Sequence, residues 1–228
     1  MKRNGLRALG LASCVVALFS LLGMAVDLAG IVANEWIEEI SNAAGLNLVD
    51  QYIADYTVEE LTVLAEKGLT PGIKLAADRA LFKIAGGLLP LIVLDDAALL
   101  VLVAAGDADA ADAYVFNAKA GLTSPAAVEA AMVAATDDLL IAAYGKLLGG
   151  FYGPGSPVGT KTEAELLVLV EGDSYGLRVA AATALTTYWI LGSDLTIPQV
   201  ETAILANTLW KPELALAYQG FLAYLYSL

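Results

Sequence analysis

Ile73-Lys74-Leu75-Ala76-Ala77-Asp78-Arg79-Ala80-Leu81 returns in the second half of the chain as Leu177-Arg178-Val179-Ala180-Ala181-Ala182-Thr183-Ala184-Leu185. Each copy is preceded by a second matching segment, Glu60 to Glu66 in one case and Glu165 to Glu171 in the other. The matched unit is therefore two helices joined by a turn. A unit of that kind cannot bury its apolar face alone and must stack on neighbours. The repeat thus predicts an all-α chain, a row of helical hairpins sharing one interior.

Working outward, helix starts can be located by their chemistry. A hydroxyl followed three residues later by Glu or Gln can satisfy orphan backbone donors reciprocally, and Thr57 with Glu60, Thr160 with Glu163 and Thr196 with Gln199 fit that spacing. Proline costs nothing at a first helical position, which marks further starts at Thr70-Pro71, Ser124-Pro125 and Lys211-Pro212. These marks divide the chain into helix pairs over 57–88, 92–121, 124–150, 160–193 and 196–228, with a period in the mid-thirties. Leu99 to Val103 echoes Leu166 to Val170, and Pro212 to Ala217 echoes Pro71 to Ala76. Ahead of them, residues 26–56 predict an N-terminal hairpin cap. Ile31, Trp36, Ile37 and Ile40 make one apolar stripe and Val49, Tyr52, Ile53 and Tyr56 another, with Gly45 between them.

An aliphatic residue, a basic one, an Ala pair and a closing Ala-Leu, as in Ile73 to Leu81 and Leu177 to Leu185, resemble the second helix of HEAT repeats. The likeness is strongest to the short bacterial form also seen in phycobilisome-lyase-like proteins, and Asp173 sits at the turn as that family often has it. The other copies match mainly in apolar spacing. The resemblance covers residues 57–228 and implies an α–α superhelix, a HEAT-like solenoid of about five hairpins. It implies a function of contact with other macromolecules and carries over no catalytic residue.

The chain has 228 residues, 58% of them hydrophobic, and a net charge of −13. Much of the apolar count is alanine at helical spacing. Lys2, Arg3 and Arg7 precede an uncharged stretch from Ala8 to Val26, which predicts a secretory signal. Gly23-Met24-Ala25 places cleavage after Ala25, so residues 1–25 are expected to be a leader. An uncleaved anchor over residues 8–26 is the alternative, and Leu11-Ala12-Ser13-Cys14 also resembles a lipobox. Cleavage removes three basic residues, Lys2, Arg3 and Arg7, and leaves a still more acidic chain. Such a field repels phosphate backbones, so nucleic acid is not an expected partner. The single cysteine, Cys14, lies in the leader and leaves the rest of the chain without disulfide or thiol chemistry.

Chemistry is sparse. Without histidine the commonest general base and zinc ligand are missing. Asp95-Asp96 and Asp137-Asp138 are carboxylate doublets placed where aspartate caps a helix. Asp107, Asp109 and Asp112 could supply hard oxygens to calcium, though the loop glycine and closing glutamate of an EF-hand are absent; acidic residues offsetting a helix dipole explain them equally. No cofactor is expected. Phe151 and Tyr152, in the Gly/Pro-rich segment Gly149 to Pro157, are candidate partner-binding residues on a loop, or else a cover for the core edge. Phe221 and Tyr224 belong to a last helix with no charge after Glu213, whose face predicts either another protein, self-association or a membrane against it, or burial by curvature within the chain.

The expectation is thus an exported, non-catalytic solenoid, a binding or assembly scaffold in the periplasm or elsewhere in a bacterial cell envelope. A ligand-binding enzyme or enzyme accessory of the lyase-like branch, and a structural protein anchored by residues 8–26, are the alternatives.

Overall fold

The computed structural model describes residues 26–228; the leader, its cleavage site, the anchor and the lipobox lie outside the described residues. Among the described residues there are fourteen α-helices, a single 3-10 turn at Lys119–Gly121 and no strand. The helices fall into six antiparallel pairs. The first is α1 (Leu28–Asn34) with α2 (Glu38–Asn47), followed by the short α3 (Val49–Asp55). Next come α4 (Val58–Lys67) with α5 (Pro71–Ile84), then the single-turn α6 (Leu89–Ile92). The remaining pairs are α7 (Asp96–Ala104) with α8 (Ala108–Ala118), α9 (Pro125–Ala134) with α10 (Asp138–Tyr152), α11 (Glu163–Val170) with α12 (Tyr175–Gly192), and α13 (Ile197–Asn207) with α14 (Pro212–Tyr226).

Local chemistry starts these helices where the sequence marks them. Thr57 and Glu60 form a reciprocal box at α4, as do Thr196 and Gln199 at α13. Pro71, Pro125 and Pro212 each occupy a first helical position. Asp95, Asp107 and Asp137 accept backbone N–H groups as caps. The box expected at Thr160 and Glu163 forms instead from Thr162 and Glu165, because the preceding loop runs two residues further and the same pattern recurs there. Gly45, expected between two helices, lies inside α2, and Leu48 makes the break.

The alanine repeat has a plain structural meaning. Ala76, Ala77 and Ala80 in α5, and Ala180, Ala181 and Ala184 in α12, are all fully buried. A methyl group is the largest side chain that lets neighbouring helices approach this closely. Glycine goes further where second helices of successive pairs cross. A methyl added at Gly45 would lie 2.5 Å from the Gly72 carbonyl oxygen, and one at Gly145 would lie 2.7 Å from that of Gly176. The same glycine-on-glycine crossing therefore joins α2 to α5 and α10 to α12.

These contacts fix direction as well as distance. Along α10, Gly145 meets Gly176 and Val179, Gly149 meets Ala180 and Thr183, and Gly153 approaches Thr187, so α10 and α12 run parallel. Every junction between neighbouring second helices carries a named link. Gly72 N–H donates to Ser41 Oγ at 2.9 Å between α2 and α5. Arg79 pairs with Asp109 at 3.0 Å across the looser junction of α5 and α8, and Lys146 pairs with Asp112 at 2.8 Å between α8 and α10. Arg178 pairs with Glu213 at 3.1 Å between α12 and α14, where Thr186 Oγ also donates to the Ala217 oxygen. Finally Asn47 Nδ2 donates to the Ala223 oxygen at 2.9 Å, linking α14 back to α2. The row of hairpins closes on itself.

Closure settles the last helix. Phe221, Leu222 and Tyr226 are buried, and α14 packs on α13, α12 and α2. Of the two outcomes open to its apolar face, burial by curvature is the one observed; the expectation of an uncovered face at Phe221 is corrected. The core is correspondingly one contiguous cluster from Val32 to Tyr226, with a small satellite of Leu61, Ala77 and Ala80 between α4 and α5.

Candidate binding surface

The residues singled out from sequence are not brought together. Phe151 and Tyr152 are the last residues of α10 rather than part of a loop, a correction that follows from the helix continuing to Gly153 before the chain turns. Tyr152 is buried and donates its hydroxyl to Glu129 Oε1 at 2.5 Å; burial first, and then that carboxylate, push the phenol well above its ordinary pKa. Phe151 is half-buried, and so is Tyr224, whose ring lies 6.4 Å from that of Phe221.

Asp107, Asp109 and Asp112 are each committed elsewhere. Asp107 caps α8, Asp109 holds Arg79, and Asp112 holds Lys146. Burial disfavours the Arg79 charge, but Asp109 at 3.0 Å, Asp78 at 3.2 Å and the charge of Asp112 outweigh it and hold the guanidinium above its ordinary pKa. Among the described residues no group of three or more His, Cys, Asp or Glu side chains could hold a metal ion, so the calcium alternative is corrected to one cap and two interhelical ion pairs.

One regularity was invisible in the sequence. In three successive pairs an aromatic donor near the end of the second helix reaches a glutamate on the first: Tyr152 to Glu129, Trp189 Nε1 to Glu163 at 2.7 Å, and Tyr226 to Glu201 at 2.9 Å. Each strut ties the far ends of a hairpin together, where no covalent turn does so. Beside the middle one, Glu163, Tyr188 and Trp189 line a hollow of about 500 Å³. Glu201 sits with its carboxyl held above the ordinary range, chiefly by burial, with a contribution from the charge of Glu35, although the Tyr226 hydroxyl pulls the other way.

The turn end of the ring is different in character. Where contacts fix direction, the turns that lead into neighbouring second helices lie at one end: α10 and α12 run parallel, Arg178–Glu213 and Thr186–Ala217 set α14 parallel to α12, and the turns before α2 and α5 line one groove. Three adjacent turns there expose a large apolar residue immediately before the N-cap: Trp210 (83% exposed) before α14, Trp36 (69%) before α2, and Leu69 (75%) before α5. An apolar side chain at that position ordinarily packs on the fourth helical residue. Here those residues are Ala215, Ser41 and Lys74, which offer no apolar partner of comparable size, so the three side chains stand free. Leu209, the residue before Trp210, is also exposed. Trp36, read from the sequence as part of an apolar helix stripe, instead lies in the turn before α2 with its side chain exposed. The usable signal was present in the sequence as a bulky apolar residue before a cap without a bulky residue four places into the helix.

Between the first two of these turns in chain order lies a groove of about 580 Å³, lined by Trp36, Glu38 and Asn42 on one side and by Leu69, Lys74 and Asp78 on the other. The Oδ1 atom of Asn42 is buried and has no hydrogen-bond partner among the described residues. The groove offers an aromatic face and carboxylates. No helix among the described residues is long and apolar enough to cross a membrane. No family model, curated protein or solved structure matches the chain.

Proposed function

We propose that this protein is an exported, non-catalytic binding module of a bacterial cell envelope, built from HEAT-like hairpins. The superhelix implied by the resemblance would then be a short one whose ends meet. Its partner is another protein, held at the turn end by Trp210, Trp36 and Leu69. The observation that carries this reading is the exposure of these bulky side chains on the turns before three second helices that pack in a row, α14 on α2 and α2 on α5. Leaving bulky apolar groups in water is costly and clustered ones mark contact surfaces, tryptophan above all. The missing histidine and the dispersal of the carboxylates into caps, struts and ion pairs support a non-catalytic role.

The test is affinity capture from the native envelope with the intact chain and with a Trp36→Ser/Trp210→Ser double variant. A specific protein retained by the first and lost by the second supports the reading. A partner retained equally by both removes the turn end from consideration.

A further inference from the structure

We propose that the groove between the α1–α2 and α4–α5 turns accepts a cationic side chain, a lysine ammonium or an arginine guanidinium, presented by an extended segment of the partner. This rests on the binding-module reading and names the chemistry that one part of the surface selects. The groove, at about 580 Å³, has the size of a pocket for one long side chain with its flanking backbone.

Each wall argues for positive charge. Trp36 turns its ring to solvent at the rim, and an indole face attracts ammonium and guanidinium groups. Glu38, the first residue of α2, and Asp78 in α5 bring carboxylates from the two helices that frame the cleft. Asp78 is partly engaged by Arg79 at 3.2 Å, with its side chain still 57% exposed, so it keeps capacity for a second donor.

The alternatives fit less well. An anionic ligand would meet Glu38 and Asp78, inside a chain of net charge −13. A purely apolar one would stack on Trp36 and Leu69 but bring nothing to pair with the carboxylates of Glu38 and Asp78, whose desolvation would then go uncompensated. Lys74 is the one lining residue among those described whose charge opposes a cationic guest, and it is exposed and not among the ion-paired lysines. It therefore tunes affinity downward, a feature that separates this site from the general acidic field.

The experiment is calorimetric titration of the full chain with a capped nonapeptide carrying three lysines spaced by glycines, and with its glutamate counterpart. The lysine peptide is expected to saturate one site, and the glutamate peptide to show no binding. Trp36→Ala and Glu38→Gln, both at exposed positions where folding is not at stake, are each expected to weaken the lysine peptide about tenfold, the scale of a lost cation–π or charged hydrogen bond. Lys74→Ala is expected to tighten it, whereas Lys119→Ala, the same charge change at an exposed residue beside Phe116, is not.

Equal binding of both peptides would overturn the proposal. So would lysine-peptide binding that Trp36→Ala and Glu38→Gln leave unchanged, or that Lys119→Ala strengthens as much as Lys74→Ala does. If the peptide fails while the Trp36→Ser/Trp210→Ser variant still loses its envelope partner, the groove chemistry falls and the binding module stands.

Discussion

Asn47 in α2 donates its side-chain N–H to the main-chain oxygen of Ala223 in α14, a 2.9 Å bond between residues 176 apart in sequence. The same nitrogen also donates to the Ala43 oxygen within its own helix, so the link grows out of a rigid turn of α2. It ties the first hairpin to the last. Asn47→Ala is expected to cost about 1–2 kcal/mol, the price of leaving a partly buried carbonyl without its donor. Chemical denaturation gives the magnitude, and amide exchange localises it: faster exchange confined to α14 and α1–α2 is expected, and a uniform change through all hairpins would argue against this bond as a closure.

The glycine crossings make an internally controlled prediction. Gly145→Ala places a methyl 2.7 Å from the Gly176 oxygen and about as close to Val179, so α10 and α12 must separate. Gly150, in the same helix, has nothing within 4 Å of an added methyl. Gly150→Ala should therefore stabilise by about 0.5–1 kcal/mol through helix propensity, while Gly145→Ala destabilises by about 1–3 kcal/mol through overpacking. Opposite signs in thermal unfolding confirm the crossing, and two stabilised variants would contradict it.

Removing the hydroxyl of the first strut, Tyr152→Phe, keeps the ring in place under Lys161 but leaves Glu129 without its donor. A loss of about 1–2 kcal/mol is expected. The double variant Tyr152→Phe/Glu129→Leu should recover part of it, since no half-buried carboxylate is then left over; additive losses in the double-variant cycle would show that the two groups act independently.

The pH dependence follows from Glu201. Its carboxyl is raised by burial, and by Glu35, above the unfolded value, so the folded chain binds that proton more tightly than the unfolded chain. The associated stability is full below the unfolded pKa and is lost as pH rises through the folded one. Glu201→Gln keeps an oxygen for the Tyr226 hydroxyl and carries no charge. It is expected to raise the melting temperature at neutral pH, with the gain shrinking as pH falls through the raised folded pKa and gone below the ordinary glutamate range. Glu60 and Glu165 behave oppositely: hydrogen bonds from Thr57 and Thr162 lower their pKa values, so their caps lend stability above the unfolded pKa that is lost as acid protonates them. A gain for Glu201→Gln that persists at acid pH would exclude the linkage.

Both tryptophans of the turn end touch water more than protein, so Trp36→Ser and Trp210→Ser should leave the melting temperature nearly unchanged. A large loss of stability in either would show that the side chain packs within the fold and is no free contact surface.

The candidate site was only partly legible in the sequence. Tyr152 and Phe221 stood out as aromatic, yet one ends a helix and bonds Glu129 while the other lies in the core, because aromatic character does not say which face a ring will find. Trp36 and Trp210 were readable only through the absence of a bulky partner at the fourth helical position, a negative signal that matters once the turns are known to be neighbours.

The helices, their caps and their pairing were determined by the sequence itself, since a capping box, a first-position proline or an alanine at spacing three and four acts within a turn or two of chain. That the hairpins curl until α14 meets α2 was decided by tertiary structure alone. Helices of different pairs meet at Gly45 on Gly72, Gly145 on Gly176 and Thr186 on the Ala217 oxygen, and the ends of the row at Asn47 on the Ala223 oxygen, contacts between residues far apart in the chain that no local pattern encodes.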